Sequence, residues 1–270
     1  TTGAAPLLFS FSADRSVRLW DTATGECLQT LVAGSGPAIV TVGLCQETRF
    51  YAFVDRGGRL LTGRYSERRP LALESLAMYK SIELPDSVTV GRNGCWLIVG
   101  EDRSSKVFRL PEPNSVPKLE MELGYRLTLL PVGGRHLIGS TDDGRLELYD
   151  LQDRKLVANF PRDGAAITAM ACTSDGGVLA SVDGNDLLQL WLVESAHCVM
   201  ERPVGEPMRK LVFSGNGRYL ACLSQKGTLT VWEMEWQLDP DVVQAASLEQ
   251  RLPVKGGVWS KLRARFGRKG

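Results

Sequence analysis

Histidine is scarce in this sequence, which contains only His136 and His197. The two lie far apart, so the chain offers neither a histidine-led catalytic triad nor a histidine cluster with the spacing of metal ligands. Two glycine-rich stretches, 56–59 and 132–135, lack the lysine and the Ser/Thr of a phosphate-binding loop and instead suit hairpin turns. We therefore expect a protein that is not an enzyme, with no catalytic residue, no cofactor, no bound metal and no small-molecule substrate.

Long apolar runs are also missing. No stretch of about 18 apolar residues occurs, so the sequence predicts no membrane-spanning helix. The first four residues, Thr-Thr-Gly-Ala, have neither the basic head nor the apolar stretch of a secretory signal peptide. Because the chain does not start with methionine, we interpret it as a piece of a longer protein.

The six cysteines lack the close pairing that is typical of zinc sites and redox centres. Four of them fall inside apolar strand patterns, where a free cysteine behaves as a small buried hydrophobic residue: Cys45, Cys95, Cys172 and Cys222. Since disulfides are rare in reducing compartments, we predict free thiols and a cytoplasmic location.

What the sequence does contain is an internal repeat. Six stretches align with one another without gaps, and each has a closing position thirteen residues after the start of a short apolar run. The closing residues are Trp20, Arg64, Phe108, Tyr149, Trp191 and Trp232. They are spaced by 44, 44, 41, 42 and 41 residues, which is within the range of about 40–45 residues expected for a four-stranded propeller blade.

Each copy of the repeat has the pattern of β-strands. Apolar and polar residues alternate up to the closing position, as in Leu188-Gln189-Leu190-Trp191, and a turn rich in Gly, Asn or Asp precedes this strand. One further strand lies before this hairpin and another after it, so a copy supplies the four strands of a blade. The sequence thus predicts an all-β propeller with six visible blades over residues 1–238, in which Trp20, Trp191 and Trp232 are mostly buried between neighbouring blades.

The segment Ser12–Asp21 resembles the signature of the WD-repeat β-propellers, with Trp20-Asp21 as the eponymous dipeptide. The resemblance is specific in the first copy, good in the fourth to sixth, weak in the second and third, and covers about residues 5–238. It implies a module that meets protein partners on its loop-lined faces. The Gly-His pair frequent in this family is absent, with Asp163-Gly164 and Gly205-Glu206 near its place. We therefore expect that the buried His/Ser/Asp/Trp hydrogen-bond network does not form and that apolar packing and strand ladders hold the blades together.

The two terminal copies are incomplete. The first strand of the first copy would fall at or before the start of the chain, and the fourth strand of the last copy would begin at Asp239-Pro240-Asp241, which favours a helix start. We expect an upstream segment, which in a seven-bladed parent includes a whole blade, or another chain to complete the ring. The junction is predicted to show a strand from another chain, the segment after Pro253 folded back, or an open gap.

The C-terminal end differs in composition from the repeats. Residues 239–252 are predicted to form a short helix and residues 253–270 a basic amphipathic tail, in which a helix would align Trp259, Leu262 and Phe266. The tail has six basic residues and no acidic one, which leaves the rest of the chain net acidic. Such a tail can bind an acidic partner, nucleic acid or an anionic membrane. Alternatively it is a solubilising or disordered terminus, or a helix docked on the acidic body.

The second and third copies, the least regular ones, concentrate the arginine and tyrosine residues that are typical of protein interfaces. We predict partner binding through these copies and the tail, at Arg56, Arg59, Arg64, Tyr65, Arg68, Trp259, Leu262, Arg263 and Phe266. The sequence therefore indicates a non-catalytic protein–protein interaction module, a scaffold or regulatory sensor domain of a larger protein. Residues 231–236 resemble the ending of propellers at the C-terminal end of bacterial signalling proteins.

Two alternatives remain open at this point. Acidic residues recur at equivalent turns, where they could line a metal-binding channel mouth of a propeller enzyme: Asp55, Asp102, Asp142, Asp143 and Asp183. Their recurrence favours a structural role, since turns use Asp for local backbone hydrogen bonds and an active site would break the repeat symmetry. The second alternative is tethering to a membrane or nucleic acid through the tail.

Overall fold

The computed structural model describes residues 7–12, 14, 16–32, 39–45, 50–57, 59–66, 69–78, 85–91, 96–110, 118–131, 134–238 and 262–269. This part of the chain consists of strands joined by turns and contains no helix. Within it, accordingly, no helix has the length and apolar character needed to cross a membrane. The chain divides into two compact units, residues 1–128 and residues 129–270.

The first unit contains three antiparallel sheets whose strands are neighbours both in the sequence and in the sheet. The first sheet consists of β1 (Leu7–Phe11), β2 (Ser16–Asp21) and β3 (Cys27–Val32). The second consists of β4 (Ile39–Cys45), β5 (Phe50–Asp55), β6 (Arg59–Ser66) and β7 (Arg69–Met78). The third consists of β8 (Pro85–Val90), β9 (Trp96–Glu101), β10 (Ser105–Arg109) and β11 (Lys118–Leu123).

Three further sheets continue through the second unit in the same order. The fourth consists of β12 (Leu127–Leu129), β13 (His136–Ser140), β14 (Leu146–Asp150) and β15 (Lys155–Phe160). The fifth consists of β16 (Ile167–Cys172), β17 (Val178–Asp183), β18 (Leu187–Leu192) and β19 (His197–Pro203). The sixth consists of β20 (Met208–Phe213), β21 (Tyr219–Ser224), β22 (Leu229–Leu238) and β23 (Leu262–Lys269). The predicted all-β fold, a propeller of six blades, is confirmed.

Neighbouring sheets within a unit pack by one rule. We define the tryptophan face of a sheet as the face that carries the closing residue, and the aliphatic face as the opposite one. The aliphatic face of the fifth sheet packs on the tryptophan face of the sixth, and the cluster includes Val178, Ala180, Val182, Leu188 and Leu190 with Leu220, Cys222 and Trp232. The first sheet packs on the second, and the second on the third, in the same sense. Burial of these side chains is the main source of stability, at about 25 cal/mol for each Å² of apolar surface.

The closing tryptophans differ in burial. Trp191 is fully buried, and its ring meets that of Phe160 edge-on with centroids 5.7 Å apart and an interplanar angle of 81°. Trp232 is also buried, whereas Trp20 is only partly buried. At this exposure Trp20 is still mostly buried, as predicted, but it is less buried than the other two tryptophans.

A tryptophan–serine hydrogen bond links the two central strands in two copies. The indole N–H of Trp20 donates to Ser10 Oγ at 2.8 Å, and that of Trp191 donates to Ser181 Oγ at 2.9 Å. The tryptophan–serine link of the His/Ser/Asp/Trp network therefore forms in these two copies without a histidine.

The second copy has a different closing residue from the one the alignment gave. Gly63 lies opposite Tyr51 in the strand pair, just as Trp191 lies opposite Leu179 in the fifth sheet. Arg64 follows one position later and lies opposite the first residue of β5. The closing position of the second blade is thus a glycine.

The terminal sheets differ from the others. The described first sheet has three strands, and the fourth strand of the sixth sheet is β23, which runs antiparallel to β22 from the Leu238↔Leu262 pair to the Val231↔Lys269 pair. A helical stripe through Leu262 and Phe266 is therefore wrong for this segment, whose sequence alternates basic with small or apolar residues at the period of a strand. The predicted helix over 239–252 and Trp259 lie outside the described residues.

Candidate functional site

An open cleft of about 610 Å³ lies between the fourth and fifth sheets, within the second unit. Its walls come from the start of β14, the end of β15 with the connection after it, and facing parts of β18 and β19. The lining residues are Arg145, Leu146, Asn159, Phe160, Pro161, Arg162, Asp163, Leu187, Gln189 and Glu201. The cleft thus combines four apolar residues with four charged ones and two amides.

A buried ion pair fixes one of the lining residues, Arg162. Arg162 Nη2 donates to Asp183 Oδ2 at 3.0 Å, and the two side chains are only 1% and 2% exposed. The remaining guanidinium nitrogens donate to the carbonyl oxygens of Gly144 and Ala165 and, at 3.3 Å, to Gln189 Oε1. Burial lowers the pKa of Arg162, and the Asp183 carboxylate opposes that shift. With these partners Arg162 holds the two sheets together and is not available to a ligand.

Asp183 also shapes the turn that follows it. Its Oδ1 accepts hydrogen bonds from the backbone N–H groups of Asn185 at 2.9 Å and Leu187 at 3.1 Å. Gly164 lies so close that a Cβ at this position would be 2.9 Å from Asp183 Oδ2. A larger residue here would meet the ends of both the Arg162 and Asp183 side chains, so it would have to displace the ion pair.

Arg145, at the mouth of the cleft, is also paired within the protein. Its Nε lies 2.9 Å from Asp143 Oδ2, and its Nη1 donates to Glu147 Oε1 at 3.1 Å. A hydrogen bond from Thr141, followed by those from Arg145, lowers the pKa of Asp143. Both arginines of the cleft are thus neutralised by carboxylates of this chain.

Two carboxylates of the cleft have no such compensation. Glu201 Oε1 accepts a 2.7 Å hydrogen bond from Gln189 Nε2, a neutral amide, and Asp163 is exposed at the mouth. Among the residues that the structure describes, neither carboxylate forms an ion pair. The buried side chains of Leu146 and Phe160 line the cleft beside them. These two are almost fully buried, and the apolar lining residues that keep exposed surface are Pro161 and Leu187. A long cationic side chain matches this arrangement, because its apolar stem can contact them while its charged head meets the carboxylates.

Of the partner-binding residues predicted in the second copy, the structure describes the side chains of Arg56 and Arg59. Arg56 is exposed on the turn after β5, whereas Arg59 donates through Nε to the buried carboxylate of Asp55. Arg64 and Tyr65 lie on β6, and Arg68 lies outside the described residues. Arg59 therefore has a structural role, and partner binding by this group stays a prediction.

The predicted tail residues and the recurring aspartates are placed as follows. Leu262, Arg263 and Phe266 lie on β23.

Asp55 and Asp183 are buried in ion pairs with arginine, and the other three aspartates, Asp102, Asp142 and Asp143, are exposed at turns. Within the described ranges no three His, Cys, Asp or Glu side chains come together in an arrangement able to hold a metal ion.

Sequence reasoning did not identify the residues of the cleft. Arg162 lies directly before Asp163-Gly164, the pair that stands near the missing Gly-His position. Its guanidinium reaches the aspartate of the next turn from that connection. A basic residue at this place was the available signal for Arg162, but nothing in the strand pattern distinguishes Gln189 or Glu201 from other polar strand residues.

Comparison with known proteins agrees with the fold. No family model matches the sequence, and no curated protein matches it. Among solved structures, the chain is similar to the crystal structure of the Myceliophteria thermophila Cps50 (Swd1) β-propeller domain, with a TM-score of 0.68 and 16% identity. The match covers 85% of this chain and 79% of that chain. At this identity the similarity shows the propeller fold alone.

Proposed function

We propose that this chain is a non-catalytic protein–protein interaction module and that the cleft between the fourth and fifth sheets binds a basic side chain of the partner. The observation that carries the proposal is the pair Glu201 and Asp163. Both line the cleft without a cationic partner among the described residues, while the two arginines of the cleft are already neutralised.

The chemistry of the cleft favours binding over catalysis. Its buried polar groups, Arg162, Asp183 and Gln189, are engaged in hydrogen bonds that join strands and turns. A catalytic group would have to leave such a partner before it could transfer a proton or attack a substrate. Ordered polar groups around an open, partly apolar cleft instead favour recognition of a fixed shape and charge.

The proposal is tested with a matched pair of peptides. One carries three arginines separated by Gly-Ala spacers, and its twin carries citrulline, which has nearly the same shape but no charge, at the same positions. Fluorescence anisotropy gives the dissociation constants for the whole chain. We expect the arginine peptide to bind more tightly, and Glu201→Gln to weaken it about fivefold, the effect of about 1 kcal/mol for a solvent-accessible ion pair.

Glu194→Gln is the control, because Glu194 is an exposed carboxylate that does not line the cleft. It should leave the dissociation constant unchanged. Equal binding of the two peptides, or equal effects of the Glu201 and Glu194 substitutions, would contradict the proposal.

We also propose which kind of protein contains this module and where that protein is located. We propose a scaffold or regulatory domain of a larger cytoplasmic signalling protein. Free thiols at Cys27, Cys45, Cys172, Cys198 and Cys222 support a reducing compartment, and the resemblance of residues 231–236 supports a signalling protein. We further propose that the tail serves as the strand that completes the sixth sheet and not as a tether to a membrane or nucleic acid, which the pairing of β23 with β22 supports.

A further inference from the structure

Gln189 joins the buried ion pair to one carboxylate of the cleft. Its side-chain oxygen accepts a hydrogen bond from Arg162 Nε at 3.3 Å, and its amide nitrogen donates to Glu201 Oε1 at 2.7 Å. A guanidinium can only donate hydrogen bonds and an ionised carboxylate can only accept them, so these two partners fix which way the amide is turned. Gln189 is itself only 4% exposed. Its side chain is therefore held in one orientation.

The hydrogen bond from Gln189 holds Glu201 and leaves its charge in place. The two residues lie opposite each other in the β18–β19 pair, where Gln189 is buried and Glu201 is exposed. A second group near Glu201 Oε1 is the thiol of Cys198, at 3.9 Å. Burial raises the pKa of the Cys198 thiol, so this group is also uncharged at neutral pH. Within the described part of the chain, both neighbours of this carboxylate oxygen are thus neutral.

The third sheet has a lysine at the same place. Lys106 stands two residues before the closing position of its copy, as Gln189 does, and lies opposite Glu122 on the outer strand β11. Its Nζ lies 3.8 Å from Glu122 Oε1 and donates a hydrogen bond to Glu101, and the lysine side chain is 5% exposed. The third sheet therefore neutralises the carboxylate that lies opposite this position. In the fifth sheet an amide holds the corresponding carboxylate, which stays charged.

We propose that Gln189 is the positioning residue of the cleft, which fixes the Glu201 carboxylate for a basic side chain of the partner without neutralising it. The inference rests on the function proposed above and adds the residue that makes Glu201 able to bind. A carboxylate that is already held loses less conformational freedom when the partner arrives, and such preorganisation increases affinity. A cationic residue at position 189 would instead occupy the carboxylate itself, as Lys106 does in the third sheet.

The experiment measures binding of the arginine and citrulline peptides to variants of the whole chain. Gln189→Met keeps the length of the side chain and removes both of its hydrogen bonds. We expect it to weaken binding of the arginine peptide by about twofold to fivefold, as for two coupled neighbours, and to leave binding of the citrulline peptide unchanged. Gln225→Met, at an exposed turn that does not line the cleft, is the matched control and should bind both peptides like the wild type.

A double variant, Gln189→Met with Glu201→Gln, separates positioning from a structural role. A residue that acts through Glu201 has nothing further to contribute once the charge of Glu201 is gone. The double variant should therefore bind the arginine peptide as Glu201→Gln alone does. If Gln189 only supported the shape of the cleft through Arg162, its removal would weaken both peptides and would add to the effect of Glu201→Gln.

Two further substitutions at position 189 use residues that other sheets have at the equivalent place. Gln189→Thr introduces the residue of the sixth sheet, Thr230, and replaces the methionine variant if circular dichroism shows that the latter does not fold. Gln189→Lys reproduces the arrangement of the third sheet. It should neutralise Glu201 and abolish the preference for the arginine peptide over the citrulline peptide.

The possible failures are distinguishable. If Gln189→Met binds the arginine peptide like the wild type while Glu201→Gln binds it more weakly, the role of Gln189 is overturned and the proposed function stands. Equal weakening of both peptides, or additive effects of the two substitutions, would show that Gln189 only maintains the structure. Equal binding of the two peptides to the wild-type chain would overturn the proposed function together with this inference.

Discussion

The guanidinium of Arg162 and the carboxylate of Asp183 face each other at 3.0 Å with both side chains almost completely buried. The pair joins the connection after the fourth sheet to a turn of the fifth. Arg162 directly precedes Asp163-Gly164, the pair near the place of the absent Gly-His, and it supplies the contact to the turn in this blade. The ion pair therefore holds in place the connection that forms one side of the cleft.

Removing the charge of Asp183 is expected to destabilise the protein strongly. Asp183→Asn keeps an oxygen for the turn but leaves Arg162 as a buried, uncompensated cation, which costs about 3–5 kcal/mol of unfolding free energy. Urea unfolding measures the loss. Asp102→Asn, at an exposed turn, is the control and should change the free energy by less than about 0.5 kcal/mol. Equal effects of the two substitutions would show that the buried pair does not contribute to stability.

The three closing tryptophans should differ in their contributions. Trp191→Ala and Trp232→Ala, at buried positions, should each lower the free energy of unfolding by about 3–5 kcal/mol, the cost of an unfilled aromatic cavity. Trp20→Ala should cost clearly less, because its ring is already partly exposed. Urea midpoints of the three variants test this order. A urea midpoint for Trp20→Ala as low as that of Trp191→Ala would contradict the partial exposure of Trp20.

The cysteines should react with alkylating reagents in an order set by burial. Burial raises the pKa of Cys172 and of Cys222 to about 12, so their thiolate forms are scarce at pH 8, whereas Cys27 is exposed. Iodoacetamide treatment of the native protein should modify Cys27 and leave the other two unmodified until urea is added. Peptide mass spectrometry identifies the modified residues. Rapid native modification of Cys222 would contradict its place in the core.

Asp150 should contribute stability that depends on pH. Burial opposes its ionisation, but the backbone N–H groups of Asp153 and Gln152 and the Arg135 guanidinium outweigh this effect and lower the pKa of Asp150 below 3.8. Because the lowered pKa belongs to the folded state, the contribution is present at neutral pH and is lost as the pH falls below 3.8 through that pKa. The difference in unfolding free energy between the wild type and Asp150→Asn should therefore be larger at pH 7 than at pH 3. A difference that does not change with pH would contradict this assignment.

The fold was predictable because the same strand pattern occurs in several copies of the repeat. The alternation that ends at Trp191 occurs again at Tyr149 and Trp232, so each copy supports the assignment of the others. The errors arose where a copy departs from the pattern. The second copy closes on Gly63, which has no side chain to mark the position, and the third copy has a turn one residue shorter, so Leu97 and not Trp96 lies opposite Phe108.

The cleft and the end of the sixth sheet were less predictable for physical reasons. Gln189 and Glu201 are cross-strand partners within the fifth sheet. Arg162, however, reaches Gln189 from the connection after the fourth sheet, and the spacing of residues within one copy does not reveal that contact. The strand β23 follows β22 after a long interval in the sequence. Its alternating pattern also fitted an amphipathic helix, since Leu262 and Phe266 are four residues apart.

The central claim is that the cleft between the fourth and fifth sheets holds a basic side chain of a protein partner. Photo-cross-linking tests it most directly, with the arginine peptide carrying a benzophenone group beside its central arginine and the attachment sites read by peptide mass spectrometry. The cross-links are expected at the lining residues 159–163, Leu187, Gln189 and Glu201, and they should diminish with Glu201→Gln and persist with Glu194→Gln. Cross-links that fall on other sheets, or that do not respond to Glu201→Gln, would contradict the claim.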